Sequence, residues 1–216
     1  MKRKAQWGIY LVTDQALSRG RPVEYIVDAA LRGGASMIQL REKSMPTREL
    51  INLAKRVKAL TEDANVPLII NDRVDIALAV EADGVHVGQN DMDCAQVRTL
   101  LGPDRWIGLS VESLEHAQTA ESLDVDYLGV SPIYLTPTKS DLRTEVGISG
   151  LKRIRASSRH PLVAIGGMNA TTLTKVVRAG ADAIAVVSAI CGADDPAAAT
   201  HHLVTLFNEA KQKHTS

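Results

Sequence analysis

The sequence predicts an α/β fold, a single (β/α)8 barrel of the TIM-barrel type that takes in residues 1–216. Three observations predict it. Short apolar segments of strand type occur eight times at regular spacing, and a helical pattern follows each of them. The length of 216 residues suits one domain of this kind near the small end of its size range. No change in composition marks a linker or a second domain.

The predicted strands are almost continuously apolar, as strands are when helices cover both faces of a parallel sheet. They span residues 8–13, 37–41, 68–71, 84–87, 106–110, 127–130, 162–165 and 183–187. The predicted helices span residues 22–32, 47–65, 74–80, 93–101, 114–122, 148–157, 171–179 and 196–213. An open doubly wound sheet is the alternative, but no Gly-x-Gly-x-x-Gly pattern follows the first strand.

Composition limits the classes of partner. The formal net charge is +0 and aromatic residues make up 3% of the chain, which disfavours nucleic-acid binding by bulk charge or by stacking. No apolar segment approaches the roughly 20 residues of a membrane span. Cys94 and Cys191 are distant in sequence and indicate free thiols in a reducing compartment. We therefore expect a cytoplasmic protein with no nucleic-acid or membrane partner, and we leave a homodimer open.

The end of the second strand carries an amide and two cations. Strand alternation places Gln39, Arg41 and Lys43 on one face and Leu40 and Glu42 on the other. Burying the first set would be costly without an anion to bind it. The pattern fits either an anion site or a solvated edge strand.

Aspartates follow the next two strands. Asp72 ends the third strand, and Asp91 follows the fourth. Because the carboxyl ends of the strands meet at the mouth of such a barrel, the pair suits Mg²⁺, which binds through one or two carboxylates. The alternative is helix capping, by Asp72 for the helix after it and by Asp91 or Asp93 for the next helix.

Two further side chains at this end have less distinctive patterns. His86 lies within the fourth strand, and we interpret it as a packed or mouth-lining histidine rather than a metal ligand. Ser110 ends the fifth strand without a Gly-x-Ser-x-Gly pattern, so we expect it to bind a ligand rather than to act as a nucleophile.

The last three strands end in features of an anion site. Gly166 and Gly167 follow the seventh strand, and Ser188 follows the eighth, where this fold commonly binds phosphate through backbone N–H groups. The loop after the sixth strand is the longest, and its hydroxyls and lysine suit either an oxyanion or an ordinary surface loop. That segment reads Thr136, Pro137, Thr138 and Lys139.

The strand ends thus predict two anion sites in one mouth. One is metal-assisted, with Arg41, Lys43, Asp72 and Asp91, and the other is metal-free, with Gly167, Val187 and Ser188. No residue has the pattern of a covalent nucleophile or general base. Departure of a diphosphate fits this set, because Mg²⁺ and cations stabilise charge on the leaving group.

The same segments resemble the thiamine phosphate synthase (thiamine-phosphate pyrophosphorylase) family. The resemblance extends from residue 8 to about residue 190, in the order of the family's own motifs. The matching segments are YLVTD at 10–14, QLREK at 39–43, ND at 71–72, HVGQND at 86–91, GLS at 108–110, TPTK at 136–139, VAIGG at 163–167 and VVSAI at 186–190.

The resemblance implies a reaction and a role for each position. The family joins 4-amino-2-methyl-5-(diphosphooxymethyl)pyrimidine to 4-methyl-5-(2-phosphooxyethyl)thiazole, giving thiamine phosphate and diphosphate by a dissociative mechanism. The implied pyrimidine diphosphate contacts are Gln39, Leu40, Arg41, Glu42, Lys43, Asn71, Ser110 and Lys139, of which Arg41, Lys43, Ser110 and Lys139 are the implied catalytic residues. The implied Mg²⁺ ligands are Asp72 and Asp91, and the implied thiazole phosphate contacts are Thr136, Pro137, Thr138, Gly167, Val187 and Ser188.

Other functions remain open alternatives. A related barrel isomerises thiazole phosphate, but it would not need the diphosphate and metal residues. A Schiff-base aldolase would need a lysine inside the barrel, and the strands offer none. A non-catalytic phosphate-binding module would account for only one of the two anion sites. Small departures from the family at Val111, Glu112, Leu135 and Met168 concern substrate packing.

Overall fold

The computed structural model describes residues 7–135 and 145–212 and contains a closed barrel of eight parallel strands. Each strand pairs with its sequence neighbours, and β1 pairs with β8 to close the barrel. The strands are β1 Ile9–Val12, β2 Met37–Leu40, β3 Leu68–Asn71, β4 Gly84–Val87, β5 Trp106–Val111, β6 Tyr127–Val130, β7 Leu162–Ala164 and β8 Ala183–Val186. The predicted fold class is confirmed, and each predicted strand lies within two residues of an observed one.

Helices cover the outside of the barrel between the strands. They are α1 Val23–Arg32, α2 Thr47–Asp63, α3 Val74–Ala79, α4 Cys94–Leu101, α5 Leu114–Ala120, α6 Gly147–Ser157, α7 Leu173–Arg178, α8 Ser188–Cys191 and α9 Pro196–Gln212. Two short elements were not predicted: α8 and a 3₁₀ helix at Ala16–Ser18. Both are too short to show a helical hydrophobic period.

The core has two layers. The larger layer fills the space between the strands and the helices and includes Leu40. The smaller layer fills the barrel interior and is rich in aromatic rings. Trp7, Tyr10, Trp106 and Tyr127 make edge-on contacts there, with ring centroids 5.7 Å apart for the two tryptophans and 6.1 Å apart for the two tyrosines. Because aromatic side chains fill the barrel interior, a binding site can form only at the carboxyl ends of the strands, where polar groups lie.

A repeated aspartate holds the amino ends of three strands. Asp83, Asp126 and Asp182 each follow a buried Ala or Val and precede a strand. Each carboxylate accepts the backbone N–H of a neighbouring strand and pairs with a cation from a helix. Asp83 contacts Leu68 N at 2.9 Å and Lys58 Nζ at 3.0 Å. Asp126 contacts Ile107 N at 2.8 Å and Arg98 Nη2 at 2.9 Å. Asp182 contacts Leu162 N at 2.8 Å and Arg155 Nη1 at 2.9 Å. Each aspartate therefore links a helix to a neighbouring strand through one hydrogen bond and one ion pair.

Candidate active site

A cavity that opens to solvent lies at the carboxyl ends of the strands. It brings together side chains and backbone from both predicted anion sites. Seven of the predicted residues line it: Gln39, Arg41, Asn71, Ser110, Gly167, Val187 and Ser188. Residues far apart in sequence therefore share one compartment.

Five other predicted residues do not line the cavity. Leu40 packs in the outer core layer, and Glu42, Lys43, Asp72 and Asp91 follow strand ends without lining the cavity. Thr136, Pro137, Thr138 and Lys139 lie outside the described residues. Their predicted binding roles stay predictions.

The edge-strand interpretation of the second strand is wrong. β2 pairs with β1 on one side and β3 on the other, and Gln39 is only 5% exposed. β2 ends at Leu40, so strict alternation does not extend to Lys43. Arg41 nevertheless reaches the cavity.

Arg41 is held from the β1 side. Its backbone N–H donates to Thr13 Oγ1 at 3.0 Å, and its guanidinium lies 3.5 Å from Asp14 Oδ2. Thr13 Oγ1 in turn donates to Glu42 Oε1 at 3.2 Å. Burial raises the pKa of Glu42, and the Thr13 hydrogen bond partly offsets that effect. Glu42 therefore braces the turn that presents Arg41.

Neither predicted metal ligand caps a helix. The N-cap residue of α3 is Arg73, which follows Asp72 and makes no side-chain capping hydrogen bond. Asp93, not Asp91, caps α4, since its Oδ1 accepts Ala95 N at 2.9 Å. Asp91 Oδ2 instead accepts Gly88 N at 2.7 Å. The capping alternative is therefore wrong for Asp72 and Asp91 and is confirmed for Asp93.

Both the backbone conformation and the electrostatic environment of Asp72 are unfavourable. The backbone is left-handed, with φ of 60°, a conformation that costs energy for a residue other than glycine. Burial raises the pKa of its carboxyl, and the charge of Asp91, within hydrogen-bonding reach, raises it further. The nearby Lys43 charge only partly opposes this. A divalent cation would relieve the repulsion between the two carboxylates.

The donor set suits Mg²⁺ better than a transition metal. Within the part of the chain that the structure describes, no group of three or more His, Cys, Asp or Glu side chains gathers to hold a metal. Mg²⁺ does not need such a cage, because it keeps waters and binds substrate phosphates beside one or two carboxylates. Asp72 and Asp91 fit that requirement.

A row of buried hydrogen bonds forms one wall and the floor of the cavity, and the sequence did not reveal it. Gln39 Nε2 donates to Tyr10 OH at 2.9 Å, and that hydroxyl lies 2.9 Å from Tyr127 OH. His86 Nδ1 lies 3.1 Å from Tyr127 OH, and His86 Nε2 lies 2.9 Å from Ser110 Oγ. His86 thus lines the mouth, as predicted, and contacts Ser110, which was not predicted.

The Ser110–His86 contact does not make a hydrolase triad. In such a triad a carboxylate faces the second imidazole nitrogen and stabilises the imidazolium. Here that nitrogen faces the hydroxyl of Tyr127, which remains protonated because burial raises its pKa well above the ordinary value. The geometry supports ligand binding by Ser110, in line with the sequence interpretation.

Close backbone approach explains the two glycines after β7. Gly166 and Gly167 have φ of 103° and 68°, in the left-handed region. A Cβ on Gly166 would lie 2.9 Å from Pro132 Cβ, and one on Gly167 would lie 2.8 Å from Tyr134 Cβ. Tyr134 N also donates to the Gly166 carbonyl oxygen at 3.2 Å. Glycine alone allows the β6 and β7 loops to meet at the cavity wall.

A family model described as thiamine monophosphate synthase matches residues 9–190. The chain belongs to that family. It is 49% identical over 207 residues to a thiamine-phosphate synthase of Chloroflexus aurantiacus, covering 96% of this chain and 95% of the relative. It is 46% identical over 208 residues to one of Moorella thermoacetica, covering 96% of this chain and 99% of the relative.

Structural comparison agrees with the family assignment. A thiamine phosphate pyrophosphorylase from Pyrococcus furiosus superposes with a TM-score of 0.86 at 39% identity, over 94% of this chain and 96% of that one. The predicted family and enzyme class are confirmed: the chain is a thiamine-phosphate synthase family transferase of thiamine biosynthesis. None of the described helices is long and apolar enough to cross a membrane.

Proposed function

We propose that the cavity binds the pyrimidine diphosphate and the thiazole phosphate together and forms thiamine phosphate with Mg²⁺-assisted loss of diphosphate. The observation that carries this proposal is the single cavity lined both by Arg41 and Ser110 and by Gly167 and Ser188. Two anion-binding ends in one compartment match two phosphorylated substrates. The tautomerase-like function and a simple phosphate-binding module would leave the carboxylate pair without a use.

The diphosphate end is formed by cations and hydrogen-bond donors. Arg41, braced by Asp14, presents a guanidinium that suits phosphate oxygens. Ser110 offers a hydroxyl, and Asn71 offers an amide. Lys43, Lys139, Leu40 and Glu42 belong to this end by the family resemblance. Their combined role is to stabilise negative charge as the carbon–oxygen bond breaks.

Asp72 and Asp91 are the residues that would hold Mg²⁺. Their mutual repulsion is the structural reason for assigning it there. When bound, Mg²⁺ would neutralise charge on the departing diphosphate. Within the described cavity lining, no lysine is present to form a Schiff base, which supports a reaction that depends on electrostatics.

The thiazole phosphate end is assigned to Gly167, Val187 and Ser188, with Thr136, Pro137 and Thr138 from the resemblance. Gly166 and Gly167 keep the β7 loop free of side-chain bulk next to Tyr134. Bringing both substrates into one compartment provides the proximity that the bond-forming step needs. We also infer a cytoplasmic enzyme whose partners are these two small molecules, without nucleic acid or membrane; a homodimer stays open.

A product assay with both substrates tests the proposal. Thiamine phosphate and diphosphate should form in equal amounts, and only when both substrates and Mg²⁺ are present. Ser188→Phe should raise the KM for the thiazole phosphate on the order of tenfold or more, because the ring would fill that end of the cavity, with a smaller change for the pyrimidine. Full turnover in excess chelator would overturn the metal assignment, and equal effects on both substrates would overturn the two-ended map.

A further inference from the structure

Four consecutive hydrogen bonds link five strands through residues that line the cavity. They connect Gln39 on β2, Tyr10 on β1, Tyr127 on β6, His86 on β4 and Ser110 on β5. All four distances lie between 2.9 and 3.1 Å. Tyr10, Tyr127 and His86 have no role in the function proposed above.

The chain of bonds has a direction. The amide nitrogen of Gln39 donates to the Tyr10 oxygen. Each tyrosine has a single hydroxyl hydrogen to give. The amide nitrogen of Gln39 cannot accept a hydrogen bond, so the arrangement in which each hydroxyl hydrogen finds an acceptor among these atoms has Tyr10 donate to Tyr127 and Tyr127 donate to Nδ1 of His86.

The tyrosines keep their hydrogens. Both are fully buried, and burial raises the pKa of each hydroxyl well above its ordinary range. Since Nδ1 of His86 accepts a hydrogen bond, the neutral imidazole carries its proton on Nε2. That N–H points at Ser110 Oγ, 2.9 Å away. Ser110 is then an acceptor toward His86, so its own hydrogen is available to the cavity that it lines.

The barrel makes room for this imidazole at two glycines. A Cβ on Gly108 would lie 2.4 Å from His86 Nδ1 and 2.2 Å from Tyr127 Cζ. A Cβ on Gly129 would lie 2.8 Å from His86 Cε1. Such contacts are closer than real Cβ atoms make, so the two glycines preserve the His86–Tyr127 and His86–Ser110 geometry.

We propose that His86 is a positioning residue whose Nε2 tautomer turns Ser110 into a hydrogen-bond donor toward an anionic oxygen of the substrate. With the opposite direction, Ser110 would donate to His86 and turn its lone pairs toward the cavity. Lone pairs would repel a phosphate oxygen, whereas a donor stabilises charge that develops on it. This inference rests on the proposed function for the identity of the anion; the tautomer does not depend on it.

The first test reads the tautomer by ¹⁵N NMR of the full chain labelled at histidine, without substrates, at mildly alkaline pH. His86→Gln identifies the His86 signals by their disappearance. We expect the proton on Nε2 in the parent chain. Gln39→Glu replaces the donating amide with an accepting carboxylate, and reversal of the four bonds should move the proton to Nδ1. A proton on Nδ1 in the parent chain, or no change in Gln39→Glu, overturns the inference.

The second test uses a double-mutant cycle on product formation. His86→Leu should lower kcat on the order of 10- to 100-fold, less than or comparable to loss of the Ser110 donor itself, with KM for both substrates within about threefold. His86→Gln should recover part of that loss, because its amide can still donate toward Ser110. In a Ser110→Ala background, His86→Leu should change kcat by less than about threefold, since its action runs through Ser110.

The outcomes separate the two proposals. If the kcat losses of His86→Leu and Ser110→Ala multiply in the double variant, His86 does not act through Ser110 and the positioning role is wrong. Absence of thiamine phosphate synthesis by the parent chain would overturn the proposed function, while the NMR result would still decide the direction of the bonds.

Discussion

At the amino ends of the strands, Asp83, Asp126 and Asp182 each face a cation and a backbone N–H, whereas at the carboxyl ends Asp72 and Asp91 face each other. The first group has partners within 3.0 Å in the folded chain. In the second group, burial and the neighbouring carboxylate raise the pKa of Asp72.

The two ends of the barrel therefore differ in what their carboxylates contribute to stability. The paired charges at the amino ends add to stability or cost little, whereas the repulsion between Asp72 and Asp91 costs stability that the Gly88 N–H and the nearby Lys43 charge only partly offset. The left-handed backbone of Asp72 adds to that cost. The proposed binding of Mg²⁺ would explain why the chain retains this carboxylate pair.

The largest expected effect comes from changing the carboxylate pair. Asp72→Asn should lower kcat/KM for the pyrimidine diphosphate on the order of 100-fold or more, because the neutral amide is a poor ligand for Mg²⁺. Steady-state product formation measures it. Asp93→Asn is the matched control, since Asp93 lies on the same side but caps α4, and it should stay within about threefold of the parent.

A smaller effect is expected at the amino end, in stability rather than activity. Asp126→Asn should lower the free energy of unfolding by about 1–3 kcal/mol, because Arg98 loses its buried charge partner. Asp124 also pairs with Arg98, at 3.0 Å, but its side chain is 73% exposed. Asp124→Asn should therefore cost less than about 1 kcal/mol. Denaturant unfolding measures both, and a loss of activity in Asp126→Asn without unfolding would break the division between the two ends.

The smallest expected effect is the dependence of stability on pH and Mg²⁺. Because the pKa of Asp72 is raised, the folded chain holds that proton more tightly than the unfolded chain does. The contribution of Asp72 to the free energy of unfolding is therefore favourable at acidic pH and is lost as pH rises from the usual aspartate range through the raised pKa. At neutral pH, binding of Mg²⁺ should raise the free energy of unfolding again, because the ion offsets the repulsion between the two ionised carboxylates.

Thermal unfolding with and without Mg²⁺ measures this effect. The melting temperature of the parent chain should rise with Mg²⁺ by a few degrees at most, and that of Asp72→Asn should not respond. An equal response in both proteins would place the ion away from the carboxylate pair.

Much of the fold could be predicted because the hydrophobic periodicity of each strand and helix is a property of a short stretch of sequence. Eight apolar segments alternate with helical ones. Strand ends were less certain, as at Arg41, because the last hydrogen bond of a strand depends on its neighbours. The helix α8 is a single turn and has no sequence period.

The site was predictable where strand ends carried polar groups and was missed inside the barrel. Gln39, Arg41 and Ser110 could be placed at the mouth from their positions after apolar segments. Tyr10 and Tyr127 could not, because an aromatic residue within a strand is indistinguishable in sequence from core packing. Their hydroxyls meet only because the closed barrel faces β1 and β6 toward one interior, although the two residues are 117 positions apart in sequence.

The barrel, the family and the chemical groups at the mouth could all be inferred from the amino-acid sequence, since hydrophobic periodicity and residue type are local properties. The partners of those groups depend on the folded structure. It left Asp72 beside Asp91 rather than at a helix cap, and it linked Ser110 through His86 to two buried tyrosines. Hydrogen bonding and charge repulsion act through space over a few ångströms, and strand order and register set those distances.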